Sequence, residues 1–139
     1  MSLYKQFKLD AKKETEGIEI KFSANDDGTV PTFRILHMNQ SNAKYAKVLE
    51  QESKPYRRQM QLEALSDADD KKIMLRTFCR SILIGWSNVQ KEDGTPYDYT
   101  FENAMKLMTD LPLLYQSLLI EAAKSAQFRE LQLADEAKN

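Results

Sequence analysis

The repeat of apolar residues changes once along this chain, and that change limits the fold more than any other feature. Ile18, Ile20 and Phe22 alternate with Glu19 and Lys21, the two-residue period of a strand with one buried face. Asn25-Asp-Asp-Gly28 supplies turn chemistry, and Thr32-Phe-Arg-Ile-Leu-His-Met38 resumes a β-compatible run, so residues 15–38 predict a β-hairpin. A two-stranded hairpin is marginal by itself, so it must lie on helices or pair with a neighbouring chain's strand. From Ser41 onward the apolar spacing becomes three and four, the helical period. The expected fold is therefore mainly α, of α+β class, with an N-terminal β-hairpin and four to five helices after it.

Helix-start chemistry divides the second part. Ser41 or Asn42 caps a helix carrying Ala43, Ala46, Val48 and Leu49, and Lys54-Pro55 breaks or kinks it. Tyr56 to Leu65 is compatible with a resumed helix whose Tyr56 and Met60 face inward, with Leu62 to Leu65 following less regularly. Ser66 followed by Asp67, Asp69 and Asp70 opens a long central helix on which Met74, Leu75, Phe78, Cys79, Ile82 and Trp86 form one stripe. Lys91 to Pro96 reverses the chain, Thr100 caps a helix ending near Thr109, and Asp110-Leu-Pro112 starts a last helix running to about Leu131. Trp86, Phe78, Ile82, Leu75, Met74, Leu114, Leu118 and Ala122 are the expected core.

These readings make residues 1–139 one domain: an N-terminal arm (1–14), the hairpin (15–38), a helical region (41–133) and a frayed polar tail (134–139). The Lys-rich arm reads equally as a short helix or as a segment ordered on contact. The last helix carries apolar residues almost all round from Leu111 to Ala123, more than one stripe can hold. Leu113, Leu119 and Ile120 are accordingly expected to meet a second chain, either another copy or a protein partner.

Composition narrows the chemistry. Twenty basic and 21 acidic side chains leave a net charge of -1, so no global field draws the chain to nucleic acid or lipid. Neither long apolar run reaches the ~20 residues of a membrane helix, and the N-terminus has no signal-peptide pattern, so a soluble cytoplasmic protein is expected. One histidine, His37, and one cysteine, Cys79, exclude an internal disulfide and a Cys/His zinc site within one chain. Cys79 reads as a buried inert thiol and His37 as a strand or surface residue. The acids at 26–27 and 67–70 lack calcium-loop spacing, and four glycines form no phosphate-cradling loop. No catalytic, metal or cofactor site is expected. Lys54-Pro-Tyr-Arg-Arg58 is the one basic patch with an aromatic, and Tyr56, Arg57 and Arg58 are candidate contacts, although Glu50, Glu52 and Glu63 nearby oppose a polyanion.

A set of short segments, in order, gives the chain a resemblance. These are Tyr4-Lys-Gln-Phe-Lys8, Glu14-Thr-Glu-Gly-Ile18, Ser41-Asn42, Lys54-Pro-Tyr-Arg-Arg58 and Ile84-Gly-Trp86, then Asp93-Gly94, Phe101-Glu-Asn103, Asp110-Leu-Pro112 and Phe128-Arg129. In that order and spacing the chain resembles the tail assembly chaperones of siphophages. The resemblance implies a non-enzymatic protein of the host bacterial cytoplasm, absent from the mature virion. Such a protein binds the tape measure protein and helps recruit tail tube subunits. It also implies assembly into a ring or spiral, and co-assembly with a longer form made by ribosomal frameshifting, of which this chain would be the short form. The reading from another class is a small nucleic-acid-binding regulator that uses Lys54 to Arg58.

Overall fold

A computed structural model describes residues 2–130. Their elements run α1 (Leu3–Phe7), α2 (Ala11–Glu16), β1 (Ile18–Lys21), β2 (Thr32–Ile35), α3 (Ala43–Ser53), α4 (Arg57–Gln61), α5 (Asp67–Ser81), β3 (Leu83–Ser87), α6 (Phe101–Asp110) and α7 (Pro112–Ala123). Single 3-10 turns follow α3 at Lys54–Tyr56 and α7 at Ser125–Phe128. The α+β class and the hairpin are as the sequence predicts.

The hairpin is completed within its own chain. β1 and β2 pair antiparallel with Ile18 opposite Ile35 and Ile20 opposite Phe33, and β2 pairs in turn with β3. The neighbouring-chain strand that a lone hairpin would need is supplied by residues 83–87. Ile18, Ile20, Phe33, Ile35, Leu83 and Trp86 thereby share the face turned to the helices, while Arg34 and Glu19 form a 2.7 Å ion pair on the other. An irregularity between Arg34 and Ile35 shifts the β2–β3 register, so that Arg34 faces Gly85 but Ile35 faces Leu83.

This third strand corrects the central helix. The stripe through Ile82 and Trp86 fits a helix by spacing, yet α5 ends at Ser81. Leu83–Ser87 instead satisfies the exposed edge of β2, which a helix here would leave without partners. Trp86 consequently sits on a strand. Its ring meets Phe33 edge-on at 5.9 Å and its Nε1 donates to the Tyr97 carbonyl at 2.7 Å.

N-caps lie where the side chains dictate: Asn42 accepts from Tyr45 N, Ser66 from Asp69 N and Thr100 from Asn103 N. Asp110 does not cap the last helix. It closes α6, and α7 begins at Pro112 behind Leu111 with no side-chain cap. The helix expected over 56–65 is only α4, because the chain leaves helical geometry at Leu62 and Glu63 takes a positive φ of 52°. Met60 and Leu62 are exposed rather than inward. α7 ends at Ala123, not near Leu131; the expected end, and the tail 134–139, lie outside the described residues.

Of the expected core, Phe78, Ile82, Leu118 and Ala122 are fully buried, Leu75, Trp86 and Leu114 pack against them half-buried, and Met74 is half-buried. Ile35, Leu83, Ile73, Met108 and Phe128 are among the other buried residues. α3, α5 and α6 are also joined by charge: Glu52 accepts from Arg76 at 2.8 Å and Arg80 at 2.9 Å, and both guanidinium groups lie over Phe101.

One five-residue turn occurs twice, too short to register as a repeat in the sequence. In Asn25–Thr29 and Lys91–Thr95 the aspartate of an Asp-Gly-Thr triplet accepts from the threonine N–H at 3.0 Å and hydroxyl at 2.6 Å. The glycines, Gly28 and Gly94, take φ of 86° and 87°. Asn25 Nδ2 donates to the Asn88 carbonyl and Gln90 Nε2 to Asp27 Oδ2, which ties the first turn to the loop that carries the second.

Candidate functional site

The last helix presents two faces of unequal fate. Leu118 and Ala122 are sealed in the core, and Leu114, Tyr115 and Leu119 pack against it. On the opposite side Leu113 is 75% exposed and Ile120 57%, with Leu111 exposed just before the helix. Leu113 and Ile120 are seven residues apart, two turns, and so share one side. Helix α7 thus carries more apolar side chains than its own core takes up, as its composition predicts. Leu119, grouped with them by sequence, lies instead at the boundary, half-buried against the core. A second exposed apolar group, Leu3, Tyr4 and Phe7, occupies α1.

The basic patch is not assembled as one surface. Tyr56 is half-buried beside Ile73, Lys72 and Arg76, Arg57 pairs with Glu50 at 3.3 Å, and Arg58 faces solvent. Carboxylates are thus interleaved with the cations, which lowers the local field a phosphate backbone would meet.

His37 holds a place that sequence reasoning missed. It lies two residues past β2, wholly buried, and is neither a strand nor a surface residue. Nδ1 lies 2.7 Å from Glu14 Oε1 on α2, Nε2 lies 3.3 Å from Ser125 Oγ after α7, and the ring stacks on Phe128 at 4.3 Å. The Asn42 amide donates to its carbonyl at 2.9 Å. One residue thus ties together α2, the end of the sheet, the cap of α3 and the 3-10 turn after α7. Main-chain bonds extend the clasp, from Asp10 N to the Phe128 carbonyl and from Glu130 N to the Lys8 carbonyl. The contacts separate residues 23 and 88 apart in sequence, so no local pattern announces them; the only local signal is a lone histidine in an apolar run.

Acid, imidazole and hydroxyl in that order match a hydrolytic triad in composition alone. His37 is wholly buried and its ring is covered by Phe128, so among the described residues the three side chains act as a structural clasp that joins distant segments. Cys79 is buried on α5, and burial pushes its thiol up to about 12, leaving it protonated at neutral pH. The imidazole nitrogens already engage Glu14 and Ser125, so His37 is not the base of that thiol. Among the described residues no cluster of three or more His, Cys, Asp or Glu side chains is arranged to hold a metal ion, and no helix is long and apolar enough to cross a membrane.

No curated protein and no solved structure matches the chain. The family model described as YdaY prophage protein matches residues 40–139, from just before the cap of α3 onward. That span is well over half of the chain, and the protein belongs to the YdaY prophage protein family and is of phage origin.

Proposed function

We propose that this chain is a non-enzymatic tail assembly chaperone, which binds the tape measure protein and helps recruit tail tube subunits in the host cytoplasm. The observation that carries the reading is the exposed apolar side of α7, with Leu113 and Ile120 on one side of a helix whose other side is core. Burying each of these side chains on association is worth about 1.5–3 kcal/mol. A long helical partner offers apolar anchors at i, i+3, i+4 and i+7 that suit such a ridge. The phage origin of the family and the resemblance in the sequence both agree with this role.

Self-assembly follows the same logic. A ring or spiral needs a head-to-tail contact between two different patches, closing in the first case and not in the second. The apolar groups on α7 and α1 are two such patches.

The test is size-exclusion chromatography with light scattering, on the protein alone and after co-expression with the longest helical protein encoded beside it. Co-elution with that partner is the expected result. A strictly monomeric chain that ignores the partner overturns the proposal.

A further inference from the structure

Where the 25–29 turn meets the 88–99 loop, the surface encloses a cavity of about 330 Å³, at the small end of the ~300–1,000 Å³ typical of ligand sites. Its apolar wall is made by Trp86, Tyr97 and Tyr99, with Trp86 edge-on to Tyr97 at 5.9 Å and to Tyr99 at 5.2 Å. The rings are fixed from behind. Trp86 Nε1 donates to the Tyr97 carbonyl and the Tyr99 hydroxyl to the Leu83 carbonyl, each at 2.7 Å.

The charged groups of the lining are of one sign: Asp27 and Asp98, with no basic side chain. Asp27 Oδ1 accepts two bonds from Thr29, whereas Oδ2 accepts one from Gln90, so Oδ2 keeps capacity for a further donor. The Thr29 bonds, hydroxyl first, also hold the Asp27 carboxyl below its ordinary range. The nearest loop cation, Lys91, lies over Tyr97 at 5.6 Å but is not part of the lining. Fixed aromatic faces beside unneutralised carboxylates favour a cation, and a planar one above others. A guanidinium can stack on a ring while its edge N–H groups reach a carboxylate.

We propose that this cavity binds an arginine side chain presented by a partner protein, stacked among Trp86, Tyr97 and Tyr99 and paired with Asp27 and Asp98. The site does not rest on the tail-chaperone reading: arginine recognition can succeed where co-elution with a tape measure protein fails, and the reverse.

Trp86 is the sole tryptophan, so its emission reports the site directly. The full chain is titrated with a hexapeptide containing one central arginine, with the same peptide carrying citrulline, and with N-acetyl-arginine amide. The expected result is a saturable change with the arginine peptide, at least tenfold weaker with citrulline and tenfold weaker for Asp98→Asn. That substitution lies outside both Asp-Gly-Thr turns; Asp27→Asn, which keeps an Oδ1 acceptor for Thr29, gives a second reading with circular dichroism as the folding control. No saturable change up to millimolar peptide, or an equal response to citrulline, overturns the proposal. Binding of the amide as tight as the peptide overturns the protein partner in favour of a free guanidinium compound.

Discussion

Replacing Gly17 by alanine tests how the N-terminal arm is joined to the sheet. Gly17 ends α2 at φ 83°, ψ -177°, a region that residues with a Cβ avoid at a cost of about 1–3 kcal/mol. A Cβ there would also lie 2.5 Å from the carbonyl oxygen of Ile35, a backbone atom. Relief requires that carbonyl to retreat by roughly half an ångström from a close-packed position, and such overpacking costs about 1–3 kcal/mol. Gly28→Ala is the matched control. Its φ is 86°, yet nothing lies within 4 Å of its added Cβ, so only the left-handed conformation, about 1–2 kcal/mol, opposes it. Gly17→Ala should therefore lose about 2–6 kcal/mol in all, and about 2 kcal/mol more than Gly28→Ala. Urea unfolding followed by Trp86 emission reads the difference, since Trp86 packs on Phe33 in the same sheet. With a slope of about 1–3 kcal/mol/M, the midpoints of the two variants should differ by roughly 0.7–2 M. Coincident midpoints would mean that the Ile35 carbonyl does not confine Gly17, and the account of how α2 is placed against β2 would be wrong.

Leu113→Lys and Ile120→Lys should leave stability within about 0.5 kcal/mol of the parent, as for surface changes, while lowering oligomer mass or partner co-elution in light scattering; unchanged assembly in both would count against the α7 face. Phe128→Ala, which removes the ring stacked on His37, should cost about 3–5 kcal/mol by chemical denaturation. A Glu14→Ala/His37→Ala double-mutant cycle should show a coupling of about 0.5–3 kcal/mol, and strict additivity would deny the contact any energetic part in the clasp. Burial pushes Tyr115 up to about 12, helped by Cys79 and Tyr45, and burial pushes Cys79 to about 12 as well. Both groups release their protons more readily when unfolded, so their contribution is fully present below pH 9 and falls as pH rises from 9 to 12. Denaturation midpoints flat across that window would refute it.

The candidate site was only partly legible from residues alone. The surplus of apolar side chains on α7 is a matter of counting against helical geometry, and Leu113 and Ile120 are exposed accordingly. Leu119 was not separable from them, because its position at the edge of the core depends on how α7 packs. The His37 clasp and the aromatic cavity were not visible at all: each gathers residues from segments far apart in the chain, and nothing in any one segment records the meeting.

What the sequence determined by itself is what near neighbours can enforce. Alternation made β1 and β2, the Asp-Gly-Thr triplets turned the chain, and Asn42, Ser66 and Thr100 began helices by bonding a backbone N–H three residues on. Only the tertiary structure decided residues 82–87, where Ile82 and Trp86 stand at helical spacing but Leu83–Ser87 is a strand. The open edge of β2 needs backbone partners that a helix cannot supply, and that requirement arises about fifty residues away, outside the reach of any local periodicity.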